Sequence, residues 1–140
     1  MKAYLARRYH FSASHRLFTG AYSEERNREV YGKCANPHGH GHNYVVDVIV
    51  GGSVAADTGM VCDLGVLDGI VRERIVKRFD HTNLNLDPLF QSVVSTTENL
   101  CIAIYTMLHS VFEANALGTA RLTRVRVEET QNNFFEYAGQ

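Results

Sequence analysis

Between residues 43 and 50 the side chains sort cleanly by parity. Tyr44, Val46, Val48 and Val50 fall on one side, and Val45, Asp47 and Ile49 on the other. That period of two is a strand's, and it is the firmest strand signal in the chain. Residues 3–11, AYLARRYHF, mix aromatic, apolar and basic side chains in the same manner, and positions 15–16 continue that strand. Residues 19–38 are polar and turn-rich, and predict an excursion with little regular structure. Over 64–79 the period lengthens: Leu64, Leu67, Val71, Ile75 and Phe79 recur at three or four residues, the stripe of a helix. A second stripe, Leu100, Cys101, Ile104, Leu108, Val111 and Phe112, predicts a helix over 98–112, and Ser95 with Glu98 reads as the capping box that starts it. Two further strands, 122–128 and 134–137, are joined through a turn at Gln131, Asn132 and Asn133. Pro37 and Pro88, the two prolines, both fall in loops, and no repeat interrupts the chain. Strands and helices segregated in this order predict an α+β fold: an antiparallel sheet with two helices packed on one face.

At 140 residues the chain has the length of one domain, 1–140, with enough substance to bury a core. Hydrophobic residues make up 45% and charged residues 21%, the balance of a soluble globular protein. Fourteen basic against fifteen acidic residues leave a formal charge of −1. Neither a nucleic acid nor a membrane is announced as a partner by that balance. The opening MKAYLARRYHF alternates and carries too much charge for a signal-peptide core. Three cysteines, an odd number without a short-range pairing pattern, agree with a reducing, cytoplasmic setting.

The chemistry concentrates in KCANPHGHGHNYVVDV, residues 33–48, where His38, His40 and His42 stand at every second position after Cys34. On extended chain His40 and His42 project from one face and form a ready two-nitrogen chelate. Zinc needs a third such ligand and, in a catalytic site, keeps a fourth position open. His15, in FSASHRL on the preceding strand, is the candidate. Solvated loop histidines are the plain alternative, and His10 and His109 take that structural or surface role. Cys62 and Cys101 sit in apolar surroundings as buried thiols do. Cys34 lies instead in a Gly/Asn/Pro loop, where it suits either a thiolate that moves protons beside a metal or a fourth ligand closing a structural zinc site.

Six segments in order, FSASHRL (11–17), KCANPHGHGHNY (33–44), TGMVCDLGVL (58–67), FDHTNLN (79–85), VVSTTEN (93–99) and VEETQNN (127–133), resemble the 6-pyruvoyl-tetrahydropterin synthase family. That family includes the 6-carboxy-tetrahydropterin synthases of queuosine biosynthesis. The resemblance implies a T-fold: a four-stranded antiparallel sheet backed by two helices, with trimers closing into a barrel and two trimers stacking into a homohexamer. Carried over by motif, His15, His40 and His42 resemble the zinc ligands and Cys34 the catalytic cysteine. Asp80 and His81 resemble an Asp-His pair that a neighbouring subunit contributes. Glu129, in the E-T pair, resembles the carboxylate that anchors the pterin ring, with Thr96 and Thr97 lining the same pocket. Without the family, Glu128 and Glu129 are both strand-end charges, and Ser95, Thr96 and Thr97 are capping residues.

The implied substrate is the small molecule 7,8-dihydroneopterin triphosphate. The implied reaction eliminates triphosphate to give the 6-pyruvoyl product, with zinc as the cofactor and any Mg2+ arriving with the phosphates. Arg7, Arg8, Arg16 and Lys33 are the candidates to gather the triphosphate. The alternative is the queuosine-type reaction, releasing acetaldehyde. Pyruvoyl-type enzymes resemble C-x5-H-x-H and queuosine-type enzymes C-x3-H-x-H, and Cys34 satisfies both because His38 precedes His40. A slip of two residues keeps the same strand face, so geometry does not arbitrate. The flank does: Asn43-Tyr44 follows His42 directly, which makes His40 and His42 the pair and leaves His38 a loop residue. A T-fold that binds pterin or stores metal without turnover is the reading from another class. It has no need of Cys34, Asp80 and His81 together.

Overall fold

In the computed structural model, which describes residues 1–140, five strands form one sheet. Strand β1 (Lys2–His15) pairs antiparallel with β2 (His40–Ser53) along its whole length. On the far side of β2 lies β4 (Arg121–Thr130), followed by β5 (Asn133–Tyr137), both antiparallel. The fifth strand is the two-residue β3 (Thr82–Asn83), which runs parallel to β1 beside Ala13 and Ser14. The sheet order is therefore β3-β1-β2-β4-β5. The expected four antiparallel strands are present, with a short parallel one added that no two-residue period could have announced.

Three helices accompany the sheet. The polar excursion contains α1 (Glu24–Tyr31), capped by Ser23, whose side chain accepts from Arg26 N–H. This corrects the expectation of an irregular stretch and of two helices. Helix α2 spans 64–79, as an α segment Leu64–Val71, a π turn Arg72–Val76 and a last α turn Lys77–Phe79. Its buried residues Leu67, Val71, Ile75 and Phe79 are spaced by fours, which on a regular helix drifts by about 40° per step. The wider π turn takes up part of that drift and keeps the row facing the sheet. Helix α3 (Thr97–Glu113) starts one residue later than the S-x-x-E pattern implied: Thr96 is the cap, accepting from Asn99 N–H. Ser95 is unavailable because its hydroxyl donates to the Arg16 carbonyl.

The core is one cluster of 25 residues between the sheet and the two long helices. Tyr9, Phe11 and Ala13 of β1, Tyr44, Val46, Val48 and Val50 of β2, and Leu122, Val125 and Val127 of β4 meet the stripes of α2 and α3. Leu122 and Val125 share that side although three residues apart, because the ladder shifts there: Ile49 faces Arg124 while Val50 faces Leu122. Thr123 is the extra residue of a bulge. No helix is long and apolar enough to cross a membrane.

Candidate metal and ligand site

The register of β1 against β2 sets His15 directly opposite His40, and Ala13 opposite His42. His15 continues the buried row of Phe11 and Ala13, and His40 and His42 continue that of Tyr44 and Val46. All three imidazoles thus emerge at one end of the helix-covered face. Their ring centroids lie 4.6, 4.9 and 5.1 Å apart, and their ligand nitrogens all lie within 4.8 Å of one another. Gly39 makes the convergence feasible. It has φ +74°, and a Cβ there would stand 3.1 Å from the His15 carbonyl oxygen.

His15 is 1% exposed. Its Nδ1 donates to the Ser95 carbonyl at 2.7 Å, which leaves Nε2 as the free lone-pair nitrogen. Nε2 of His15 and Nε2 of His42 are both buried without a hydrogen-bond partner. Burial holds both imidazoles below the usual histidine pKa, with the neighbouring rings adding to the effect; the Ser95 carbonyl opposes it for His15 and Glu129 for His42. Buried, neutral, partnerless imidazole nitrogens aimed at a common point fit a divalent metal. Beneath them the fully buried Tyr44 ring packs edge-on against His42, with centroids 5.5 Å apart.

Glu129 closes the other side. Glu128 faces Phe134 and Thr130 faces Asn133, so Glu129 is the extra residue of a second bulge in β4. Its carboxylate turns to the helix-covered face, where the Thr97 hydroxyl donates to Oε2 and Oε1 stands 3.8 Å from His42 Nε2. Glu128 belongs to the opposite face, near Arg8. Alternation and bulge together decide between the two glutamates. Thr96 and Thr97 sit at the same place, the first as the helix cap and the second bonded to Glu129.

Cys34 lies in the 3-10 turn Gly32–Ala35, partly buried, with its carbonyl accepting from Leu17 N–H at 2.8 Å. That bond pins the turn to the chain just beyond His15. Cys34 is not among the clustered ligand atoms, which are the three histidines alone. Cys62 and Cys101 are buried; burial raises both thiols, that of Cys101 to about 12. His38 is exposed in the loop, its backbone N–H on Asn36 Oδ1, and it lines a cleft of about 220 Å³ with Ser14, His15 and Arg16.

Asp80 and His81 do not join the triad of their own chain. They follow α2 at the flank of β1, where Ser12 N–H donates to Asp80 Oδ1 and Ser12 C=O accepts from His81 N–H. The His81 side chain is 83% exposed, 3.0 Å from Asp80 Oδ1, and borders an open groove of about 450 Å³ with Ser12, Ser14, Gly41 and Asn43. Three of the four basic candidates are already engaged. Arg7 forks onto Asp68, Arg8 onto Asp47, and Arg16 bonds Glu24 and the Ala35 carbonyl while stacking on Phe18. Lys33 alone stays outside these pairs.

Sequence reasoning missed the Ser95 carbonyl and the Thr97–Glu129 bond, since neither a backbone acceptor nor a bulge leaves a pattern in residue types. A model of the family described as 6-pyruvoyl tetrahydropterin synthase matches residues 4–140. The chain is 45% identical over 140 residues to the human protein named 6-pyruvoyl tetrahydrobiopterin synthase, covering 99% of this chain and 93% of that one. It is 41% identical over 137 residues to the Dictyostelium discoideum protein of that name, covering 97% and 96%. The structure of Caenorhabditis elegans 6-pyruvoyl tetrahydropterin synthase superposes with a TM-score of 0.91 at 38% identity, over 100% of this chain and 97% of that one.

Proposed function

The chain belongs to the 6-pyruvoyl tetrahydropterin synthase family, and from that membership we propose that it converts 7,8-dihydroneopterin triphosphate to 6-pyruvoyl-tetrahydropterin by eliminating triphosphate. The observation that carries the reading is the meeting of three buried, metal-competent histidines with one aimed carboxylate at the end of the sheet. Residues at opposite ends of the chain are needed for this, and a binding protein has no need of Cys34, Asp80 and His81 beside them.

Glu129 takes the pterin ring. A carboxylate is matched to the paired donors of the 2-amino group and N3–H, and the Thr97 hydroxyl holds its orientation. His15, His40 and His42 would hold zinc, which as a Lewis acid supplies polarisation of the substrate's side-chain oxygens. Cys34, outside the ligand cluster but tethered beside His15, moves protons between side-chain carbons as a general base and acid. No covalent bond from sulfur is required, because the leaving triphosphate departs by elimination. His81, oriented by Asp80, serves the site of a neighbouring copy, since it is exposed and stands outside the ligand cluster of its own chain.

The assembly implied by the family resemblance suits the same geometry. Strand β5 ends the sheet on one side, and β3 covers only Ala13 and Ser14 on the other, so most of β1 offers an unpaired edge. Joining β1 of one copy to β5 of the next closes three chains into a barrel, and two such trimers make the hexamer. The cysteine-to-histidine spacing favours the pyruvoyl reaction: the cluster uses His40 and His42, so Cys34 stands in C-x5-H-x-H and His38 is left exposed. Zinc-loaded protein incubated with 7,8-dihydroneopterin triphosphate should release triphosphate and a 6-pyruvoyl product identified by mass. Acetaldehyde with a 6-carboxy product would overturn this assignment.

A further inference from the structure

Three consecutive residues connect the metal centre with the ring anchor. The Ser95 carbonyl accepts from His15 Nδ1 and so selects the tautomer that leaves Nε2 for a metal. Thr96 caps α3 through Asn99 N–H, which frees the next residue from capping. Thr97 gives its hydroxyl proton to Glu129 Oε2, and the other oxygen of that carboxylate stands 3.8 Å from His42 Nε2. Ser95 and Thr97 are each 1% exposed. The path therefore runs His15, Ser95, Thr97, Glu129, His42 and back across the two strands to His15, buried at its first three members and partly exposed at Glu129 and His42.

We propose that Thr97 is a positioning residue for Glu129, and that the segment 95–97 fixes the spacing between the ring-binding carboxylate and the histidine triad. This rests on the functional reading above and deepens it. Thr97 belongs to the ligand pocket, but it acts through Glu129 rather than by touching the pterin. Its single donor is spent on Oε2, and its γ-methyl is closed off from solvent. A bulged residue has no ladder bonds of its own to steady it. Glu129 therefore needs an outside hold, and a helix start built into the core supplies one.

The test compares Thr97→Val, nearly isosteric without the hydroxyl, with Thr97→Ser, which keeps it. Affinity is read with 6-hydroxymethylpterin, which has the ring and no triphosphate, by its fluorescence. Thr97→Val should weaken binding about tenfold, the loss of one hydrogen bond to a charged acceptor, while Thr97→Ser stays within about threefold of the native protein. KM for the triphosphate substrate should rise about tenfold with kcat within about threefold, because ring binding is common to ground and transition states. Zinc stoichiometry should stay at the native value in both variants, which also shows that they fold. In a Glu129→Ala background Thr97→Val should have no further effect beyond about twofold. A tenfold loss that persists in that background would place Thr97 against the ring and overturn the positioning role, as would native affinity in Thr97→Val. Failure of the unsubstituted protein to bind 6-hydroxymethylpterin at all would overturn the functional reading instead.

Discussion

His15 carries more constraints than its two partners. It is the buried end of β1, it donates to Ser95, and its free nitrogen faces His40 and His42. His15→Ala should lower zinc affinity more than a hundredfold, exceeding what loss of an outer hydrogen-bond partner costs, as read by competition with a chromophoric chelator. Cys34→Ala should nearly abolish turnover with zinc retained, since the thiol lies outside the ligand cluster. Zinc lost along with activity would restore the closed structural site. Acid should act on the histidines first. The folded-state pKa of His15 and of His42 is lowered, so below about 6.5 the unfolded chain takes up protons that the folded chain resists, and stability falls as pH falls. Asp68, held at about 2 mainly by Arg7 and Tyr9, adds its loss only below its ordinary 3.8. Urea unfolding of metal-free protein should give a lower midpoint at pH 5.5 than at pH 8; equal midpoints would contradict the burial of neutral imidazoles. The H-x-H pair was legible in the sequence because parity alone puts both rings on one face. Glu129 shares the parity of Val125 and Val127, which favours it over Glu128, but the Thr97 hydroxyl that holds it comes from a distant helix start and left no pattern.

Elements with an apolar period were readable, and those without one were not. The sheet strands and both long helices follow from repeats of two and of three to four, and the structure keeps them. Helix α1 reads EERNREVY, with no apolar stripe to betray it. Its signal was the cap, Ser23 followed by Glu24 and Glu25, and its anchor is buried Asn27, which bonds Thr19, Tyr22 and Ser23. Strand β3 is set by β1, not by its own two residues. The same dependence on caps gives a stability prediction remote from the site. Asp63 Oδ1 accepts from Gly65 and Val66 N–H at the start of α2. Asp63→Ala should cost about 1 kcal/mol, with activity per folded molecule unchanged. Denaturant titration alongside normalised turnover checks it, and an undiminished midpoint would show that packing of Leu67 and Val71 alone starts this helix.

At the scale of the whole molecule, the decisive feature is that the catalytic candidates of one chain do not meet in one cluster. The triad gathers at the helix-covered end of the sheet, while His81 stands outside it, 83% exposed, beside a groove lined by Ser12, Ser14, Gly41, His42 and Asn43. His81 also adopts φ +59°, a left-handed conformation that costs a non-glycine residue energy, and it is held there by its N–H on the Ser12 carbonyl, with the neighbouring Asp80 carboxylate accepting from Ser12 N–H. Strain so firmly maintained at an exposed histidine is accounted for if another copy uses that imidazole. In that case Cys34→Ala and His81→Ala oligomers are each inactive, the first for want of the thiol and the second for want of the imidazole. Unfolding them together at equal amounts and refolding assembles mixed rings. Where one chain supplies the thiol and its neighbour the histidine, about one site in four receives both intact groups, so about a quarter of native activity should return. If each chain used its own His81, every site would still lack one group and none would return. Light scattering on the refolded mixture separates this outcome from failed assembly, because the same arithmetic requires the mixed species to have the mass of the native oligomer.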